Sequence, residues 1–480
     1  MFRRIKFLSP ATLLLILILL LAVSFRIYNI NSIHGFAADA DLYSWIVRDI
    51  VHNKHIRLVG QMTSTQGVYA GPLFYYLLVP FFLITDMDPI GAVIFATILG
   101  VITVYSYYFV FKKILGSWAG LIAGFLQAVL PLRVGFDRWI VPSVTVNLWC
   151  IWFFYSIVKI LGGDTKYLIL GLFLSGMVWH IHLSLAPLLI LLPLSVVFSK
   201  KMPTQKIMVL GFVVFILPML PFFLFELRHQ FTQLLSSVNS LNTTSNIPLM
   251  DKIIKILNQS LGGNFYFKFL WLLLPLILYR FRSVDLKMLT VFYIWIFSVI
   301  GFFIVSSKES SEYYFTSTQT IFLILSVYLL SRLLKIKRIG LSLVGLLLII
   351  VLIYSANDLF KQQGNGKGYM QKMAVAKFIK IDSVTKNLPC FSITYITSPG
   401  EDSGFRYIYW FNQIKLQQPK TGIPNYTVVL PYNLSPDSIV EKFGLIGVIP
   451  PANSYNFNEI APVCSGEDFN LTQPMWGYTD

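Results

Sequence analysis

Apolar residues run along this chain in blocks of roughly twenty, separated by short polar breaks, a pattern that predicts a bundle of membrane-crossing helices. Runs long enough for ~30 Å of hydrocarbon fall near residues 9–30, 89–111, 115–133, 141–161, 165–182, 183–199, 206–227, 264–281, 286–306, 313–334 and 338–356, about eleven spans. A twelfth apolar stretch, 71–84, is decided by its effect on every later loop. As a crossing it would put Lys112, Lys113, Lys200, Lys201, Arg280, Arg282, Lys335, Lys337 and Arg338 outside, the reverse of the positive-inside rule. As a segment that dips into the outer leaflet and returns, it leaves these residues, with Lys159 and Lys166, on the cytoplasmic side. The second topology is therefore expected. From about residue 357 a Gly-rich linker at 364–368 begins a segment whose apolar runs shorten to strand length. Helices at 369–383 and 405–414, with strands at 390–397, 426–430 and 444–449, predict a small α/β unit. The domains expected are thus 1–356, transmembrane with a first outer loop at 31–88, and 357–480, extracytoplasmic and α/β.

Composition agrees. With 56% hydrophobic and 12% charged residues and a mean hydropathy of +0.68, the chain is not an ordinary soluble protein, in which about a quarter of residues are charged. Its net charge of +16, from 38 basic and 22 acidic residues, would suggest nucleic acid in a soluble domain. Here the excess sits in short loops between apolar runs, where it sets orientation, and no nucleic-acid partner is expected. Arg3, Arg4 and Lys6 precede a first run that lacks an Ala-x-Ala-like site, so that run reads as a retained anchor with a cytoplasmic N-terminus. Cys150, Cys390 and Cys464 are too far apart for a metal cluster by spacing. Pairing of Cys390 with Cys464 stays open: an oxidising compartment permits it, and sequence does not dictate it.

The chemistry gathers in the loops assigned to the outer side. Asp39 and Asp41 follow the first span. From Asp41 helical spacing puts Leu42, Tyr43, Ile46, Val47, Ile50 and Val51 on one face, and Asp41, Trp45, Arg48, Asp49 and His52 on the other. This predicts an amphipathic helix in the headgroup plane, its apolar stripe on lipid. Residues 250–261 predict a second short surface helix. Asp137, Arg138, His180, His182, Glu226, Arg228, His229, Glu312 and Tyr313 lie at other outer span ends, and one site built from several loops is the expectation.

Asp39 and Asp41, then Gly71-Pro72-Leu73-Phe74-Tyr75-Tyr76-Leu77, Phe136-Asp137-Arg138-Trp139, Trp179-His180-Ile181-His182, Phe225-Glu226-Leu227-Arg228-His229 and Glu312-Tyr313-Tyr314-Phe315 occur in an order that resembles the GT-C membrane glycosyltransferases. The resemblance is to the branch of dolichyl-phosphate-mannose protein mannosyltransferases and the bacterial aminoarabinose transferase, and covers roughly the first 350 residues. It implies transfer of a sugar from a polyprenyl-phosphate donor to a protein, lipid or glycan acceptor at the outer face of the plasma membrane. It further implies Asp39, with Asp41 as second candidate, as the catalytic carboxylate that acts as general base toward the acceptor hydroxyl or orients it. Tyr75, Asp137, Arg138, His180, His182, Glu226, Arg228, Tyr313 and Tyr314 are the implied substrate-binding residues. The chain departs from the pattern at Ala40, where many relatives carry Glu beside the first Asp, and at Ala70-Gly71-Pro72, where many carry Lys-Pro-Pro.

Plainer structural readings stand beside these: Asp41 as a helix cap, Asp137 and Arg138 as a local ion pair, Glu226 and Arg228 as a surface pair, and the tyrosines as an interfacial belt. Two acids are too few ligands to define a hard-cation site, so no cofactor is assigned and a divalent cation stays an alternative. The competing function classes are a lipid-linked glycan transporter or flippase, for which no internal repeat is evident, and a non-catalytic membrane scaffold.

Overall fold

A computed structural model describes residues 9–241, 248–261, 265–306, 310–336, 339–364 and 366–451, together with 460, 464, 466–472, 475 and 477–478. Arg3, Arg4, Lys6, Lys337 and Arg338, whose charges entered the topology, residue 264 at the start of an expected span, 307–309 of an outer loop and linker residue 365 lie outside the described residues.

The apolar runs fold as helices that end where Gly, Pro or charge interrupts them. In order they are α1 (Pro10–Ile27), α2 (Ile30–Ile33), α3 (Ala38–His52), α4 (Leu73–Ile84), α5 (Ile90–Leu115), α6 (Ser117–Val129), α7 (Pro131–Arg138), α8 (Val146–Leu161), α9 (Leu168–Ile181), α10 (Leu191–Ser199), α11 (Gln205–Arg228), α12 (Thr232–Leu241), α13 (Leu249–Leu261), α14 (Phe265–Arg280), α15 (Leu286–Val305), α16 (Thr316–Leu333), α17 (Ile339–Lys361), α18 (Tyr369–Thr385), α19 (Arg406–Phe411) and α20 (Phe469–Thr472). Among the described residues seven helices are long and apolar enough to cross a membrane, or up to eight if α6 and α7, bent by 58°, count as one span. Three shorter apolar helices, Thr165–Ile181, Leu183–Ser199 and Leu270–Arg280, occupy the remaining expected spans. The twelfth stretch forms α4, whose 12 residues rise about 18 Å at 1.5 Å each, short of the ~30 Å a crossing needs.

The chain divides into two compact units, each assembled from non-contiguous segments: Met1–Arg26, Met62–Phe74 and Ala96–Asp358 in the first, Ile27–Gln61, Tyr75–Phe95 and Leu359–Asp480 in the second. The first is a helix bundle. Its core is aromatic and dry: Trp149 stacks on Phe153 at 4.5 Å, Phe153 meets Trp295, and Phe154 lies parallel to Phe292, all fully or nearly fully buried. Residues 250–261, expected on the surface, fold as α13, and Ile256 and Leu261 enter that core.

The second unit contains a four-stranded sheet, β1 (Ser392–Thr397), β2 (Asn425–Leu430), β3 (Glu441–Phe443) and β4 (Ile446–Ile449), in the order β1-β2-β4-β3. β1 and β2 are parallel, as the intervening α19 requires, and β2–β4 and β4–β3 are antiparallel. Cys390 and Cys464 form a disulfide with Cα atoms 5.6 Å apart. One expectation is corrected here. The apolar stripe of α3 does not face lipid: Leu42, Tyr43, Ile46 and Val47 are buried by protein, and so are Trp45, Asp41 and Asp49 on the opposite face. Phe82 packs against Tyr43, Tyr407 against Trp45, and Trp410 against His52. Helical periodicity reveals which side of α3 is apolar and not what covers it.

Candidate active site

α3 begins at Ala38 with Ala37 at its N-cap, which offers no side-chain cap. Asp39 and Asp41 are two residues apart, so a period of 3.6 turns them to nearly opposite sides of the helix. Asp41 is buried. Its Oδ1 accepts from the Tyr407 N–H at 2.7 Å and its Oδ2 from the Gly404 N–H at 3.2 Å. Burial pushes its carboxyl above the usual range, against the pull of these two N–H groups, Lys372 and Arg406. Asp39 is half-buried, and among the described residues no hydrogen bond or ion pair reaches it. Burial raises its pKa as well. Tyr43 and Tyr75 are the titratable side chains within its electrostatic reach in the same unit. Tyr75 is buried, its hydroxyl donating to Gln61 Oε1 at 2.9 Å and accepting from the Gln61 N–H at 3.2 Å.

In the helix bundle, several distant candidates meet. His182 caps the turn Leu183–Ile190 through its Nδ1, which accepts from the Ser184 N–H at 3.1 Å. Its ring lies 5.4 Å from Tyr313 and 4.9 Å from Tyr314, and Tyr313 in turn meets Trp139, next to Arg138, at 5.0 Å. Ahead of Tyr313, the Ser310 hydroxyl donates to Gln259 Oε1 of α13 at 2.6 Å. Two residues back, the Trp179 carbonyl accepts from the Gly71 N–H at 3.0 Å and His180 Nδ1 accepts from the Leu73 N–H. A Cβ on Gly71 would collide with the His180 ring, which explains glycine there. His180 Nε2 contacts the Pro218 carbonyl at 2.6 Å. The Trp179 indole donates to the Tyr69 carbonyl at 2.8 Å, the Tyr69 ring packs on Phe225, and the Tyr69 N–H donates to Gln233 at 2.8 Å. Glu226, beside Phe225, is buried, with one oxygen accepting from the Leu234 N–H and the other without a hydrogen-bond partner among the described residues. The segments around 69–73, 139, 179–184, 225–234 and 310–314 thus form one continuous polar and aromatic ridge.

Three candidates make no bond to it among the described residues. Asp137 turns inward to Arg26, whose Nη2 and Nε reach the same Oδ2 at 2.5 and 2.9 Å, both side chains being almost fully buried. Arg228 is exposed. Arg138 is half-buried and donates to the Phe25 carbonyl at 2.6 Å.

Sequence reasoning missed the buried cations. Arg26 sits in the first span and also donates to the carbonyls of Gln127 and Ala128, which Pro131 strands at the end of α6. Arg133, one turn before Asp137, donates to Asn147 Oδ1 at 2.5 Å and Thr320 Oγ1 at 3.1 Å. The signal was present, since an arginine inside an apolar run marks a position where the protein must supply its partners. Among the described residues no group of three or more His, Cys, Asp or Glu side chains could hold a metal ion. A cavity of about 740 Å³ opens beside Arg280, Arg282, Ser283 and Asp285, and none of the candidate residues lines it.

No family model matches the chain, and no curated protein does. Solved structures do. The structure of ArnT from Cupriavidus metallidurans in the apo state superposes with a TM-score of 0.63 at 12% identity, covering 94% of this chain and 99% of that one. Its form bound to undecaprenyl phosphate gives 0.59 at 11% identity with the same coverage. An Archaeoglobus fulgidus oligosaccharyltransferase, in complex with Zn and sulfate, gives 0.52 at 13% identity, over 87% of this chain and 68% of that one. The fold is that of the GT-C membrane glycosyltransferases, and the chain is an integral membrane protein.

Proposed function

We propose that this integral membrane chain of the GT-C fold moves a sugar from a polyprenyl-phosphate carrier to a hydroxyl of a protein, lipid or glycan acceptor, with Asp39 as general base. The observation that carries the reading is the contrast between the two acids of α3. Asp41 is consumed by backbone N–H groups, whereas Asp39 has no partner among the described residues and stays partly open. A shielded carboxylate without a counter-ion is poised to accept a proton. The acceptor oxygen attacks the anomeric carbon while its proton passes to Asp39. The bond from that carbon to the phosphate oxygen breaks, its electron pair leaves with the lipid phosphate, and the anomeric centre inverts. A cation with forked donors is proposed to meet the departing phosphate. The fold neighbour that carries undecaprenyl phosphate supports a carrier of that class.

The N-terminus is proposed to be cytoplasmic, and the site and the sheet-containing segment extracytoplasmic. The distribution of lysine and arginine supports this, as does the Cys390–Cys464 disulfide, a bond that persists in oxidising compartments. The test is turnover by the purified full chain in nanodiscs with undecaprenyl-phosphate-linked hexose, pentose and aminopentose, followed as released undecaprenyl phosphate. One donor is consumed by the wild type, and Asp39→Asn loses about 10²–10⁴-fold in rate. Equal rates for wild type and variant would overturn the reading.

A further inference from the structure

Residues 34–41 are tied down on both sides of Asp39 by long-range bonds from the C-terminal segment of the same unit. The Tyr369 N–H donates to the His34 carbonyl at 2.9 Å. Lys372 Nζ donates to the Phe36 carbonyl at 2.8 Å and to Ser403 at 2.5 Å, and lies over the Phe405 ring. Asp41 accepts from Gly404 and Tyr407. The far wall is held as well: Tyr369 donates its hydroxyl to Asp88, and Tyr407 donates its own to the Met87 carbonyl, each at 2.7 Å. Gly404 has a positive φ of 87°, and a Cβ there would strike both the Phe36 carbonyl and Lys372 Nζ. The approach is close enough to require glycine.

This pattern needs a cause. α3 starts without a side-chain cap, so its first turn has nothing of its own to stop it fraying. The C-terminal segment supplies the missing restraint from across the chain: Asp41 sits on the first turn of α19, and Lys372 reaches the carbonyl three residues before Asp39. Of the two carboxylates in the stretch, Asp41 is held by these bonds, and Asp39 has no hydrogen-bond or ion-pair partner among the described residues. A lysine that is almost fully buried between two carbonyls and a carboxylate is also unusual, because a solvated ammonium is strongly favoured in water. Burial brings its pKa down to about 8, against Asp41, Glu401 and Asp402, with Lys367 adding to the fall.

We infer that the C-terminal segment is a clamp that sets the position of Asp39, with Asp41, Lys372 and Gly404 as its positioning residues rather than groups that touch substrate. The inference rests on Asp39 being the base for its functional meaning, but its geometry is testable without any sugar.

The experiment uses the full chain in nanodiscs. Asp39 is labelled with dicyclohexylcarbodiimide, which reacts with shielded protonated carboxyls, and the modified peptide is quantified by mass spectrometry across pH. Tyr43 and Tyr75 are the titratable groups facing Asp39 and stay neutral over the acid range used. Wild type labels with a midpoint above the ordinary carboxylate value. Lys372→Met and Gly404→Ala free the turn, expose Asp39 and move the midpoint down by at least half a pH unit, while Lys372→Arg restores most of the shift. Asp41→Asn does the same where it folds; Lys372→Met and Gly404→Ala decide the matter where it does not. A labelling profile unchanged in both of these variants, with unfolding of the chain also unchanged, overturns the clamp. In parallel, turnover of the undecaprenyl-phosphate sugars falls about tenfold in the same variants, with KM for donor within about twofold. A wild type that consumes no donor while the labelling shift persists overturns the enzymatic reading and leaves the clamp standing.

Discussion

The buried pair Arg26–Asp137 offers the sharpest energetic test, because it separates a structural role for Asp137 from the substrate contact that its position in the sequence suggested. Arg26 is 1% and Asp137 4% exposed. Removing one member of such a pair leaves the other charged and unpaired, at a cost of about 3–5 kcal/mol. Asp137→Ala belongs at the lower end, because Arg26 keeps its bonds to the carbonyls of Ala22, Gln127 and Ala128. Arg26→Met belongs at the upper end, because it also strands the Gln127 and Ala128 carbonyls, each unmet buried acceptor costing about 1–3 kcal/mol. The double variant Arg26→Met/Asp137→Ala carries no unpaired charge. Its loss should therefore fall short of the sum of the single losses by about 2 kcal/mol, within the range found for directly contacting residues. Denaturation of the purified chain, read by tryptophan fluorescence, gives the three losses, and turnover on the same samples gives the second readout. Strict additivity, or an Asp137→Ala loss under about 1 kcal/mol as for an exposed pair, would refute the reasoning. Recovered stability with turnover still down more than about a hundredfold would return Asp137 to the substrate.

Four further outcomes follow from the same geometry. Turnover should be full where Asp39 is ionised and fall as pH drops through its raised pKa, so the acid limb of kcat/KM lies above the ordinary 3.8 of a carboxylate; a limb at or below that value would contradict the burial of Asp39. Lys372 titrates near 8 when folded and near 10.5 when unfolded, so the unfolded chain holds the extra proton in that window and stability rises with pH across it; Lys372→Met should lose that slope in denaturation measured from pH 8 upward. Replacing Cys390 and Cys464 by Ser opens a loop of 74 residues and should cost about 2–5 kcal/mol, visible as a lower melting midpoint, while leaving the bundle helical by circular dichroism. Gly71→Ala should displace the His180 ring and lower turnover, and a wild-type rate would show that the contact between 71 and 180 does not matter for activity.

Much of the architecture was written in local patterns. Membrane spans are legible because a helix in lipid must satisfy its own backbone and show apolar side chains nearly all round, and strands 392–397 and 425–430 are legible because β-branched and aromatic residues alternate there. The motifs around Asp39, Asp137, His180 and Tyr313 were found because charge at span ends is rare. Loops alone could not tell which of them meet: Trp139 and His182 come from segments far upstream of Tyr313, and only packing joins them.

Sequence by itself therefore determined that this chain is a polytopic membrane protein with a small α/β segment, and that its polar chemistry lies where spans end, since hydropathy is a property of each residue and its near neighbours. Tertiary structure alone decided that α3 is enclosed by protein on both faces, that Asp41 is bound while Asp39 has no partner among the described residues, and that Asp137 answers Arg26 within the bundle. Those facts depend on which backbone N–H groups and cations arrive from elsewhere in the chain, and no periodicity carries that information.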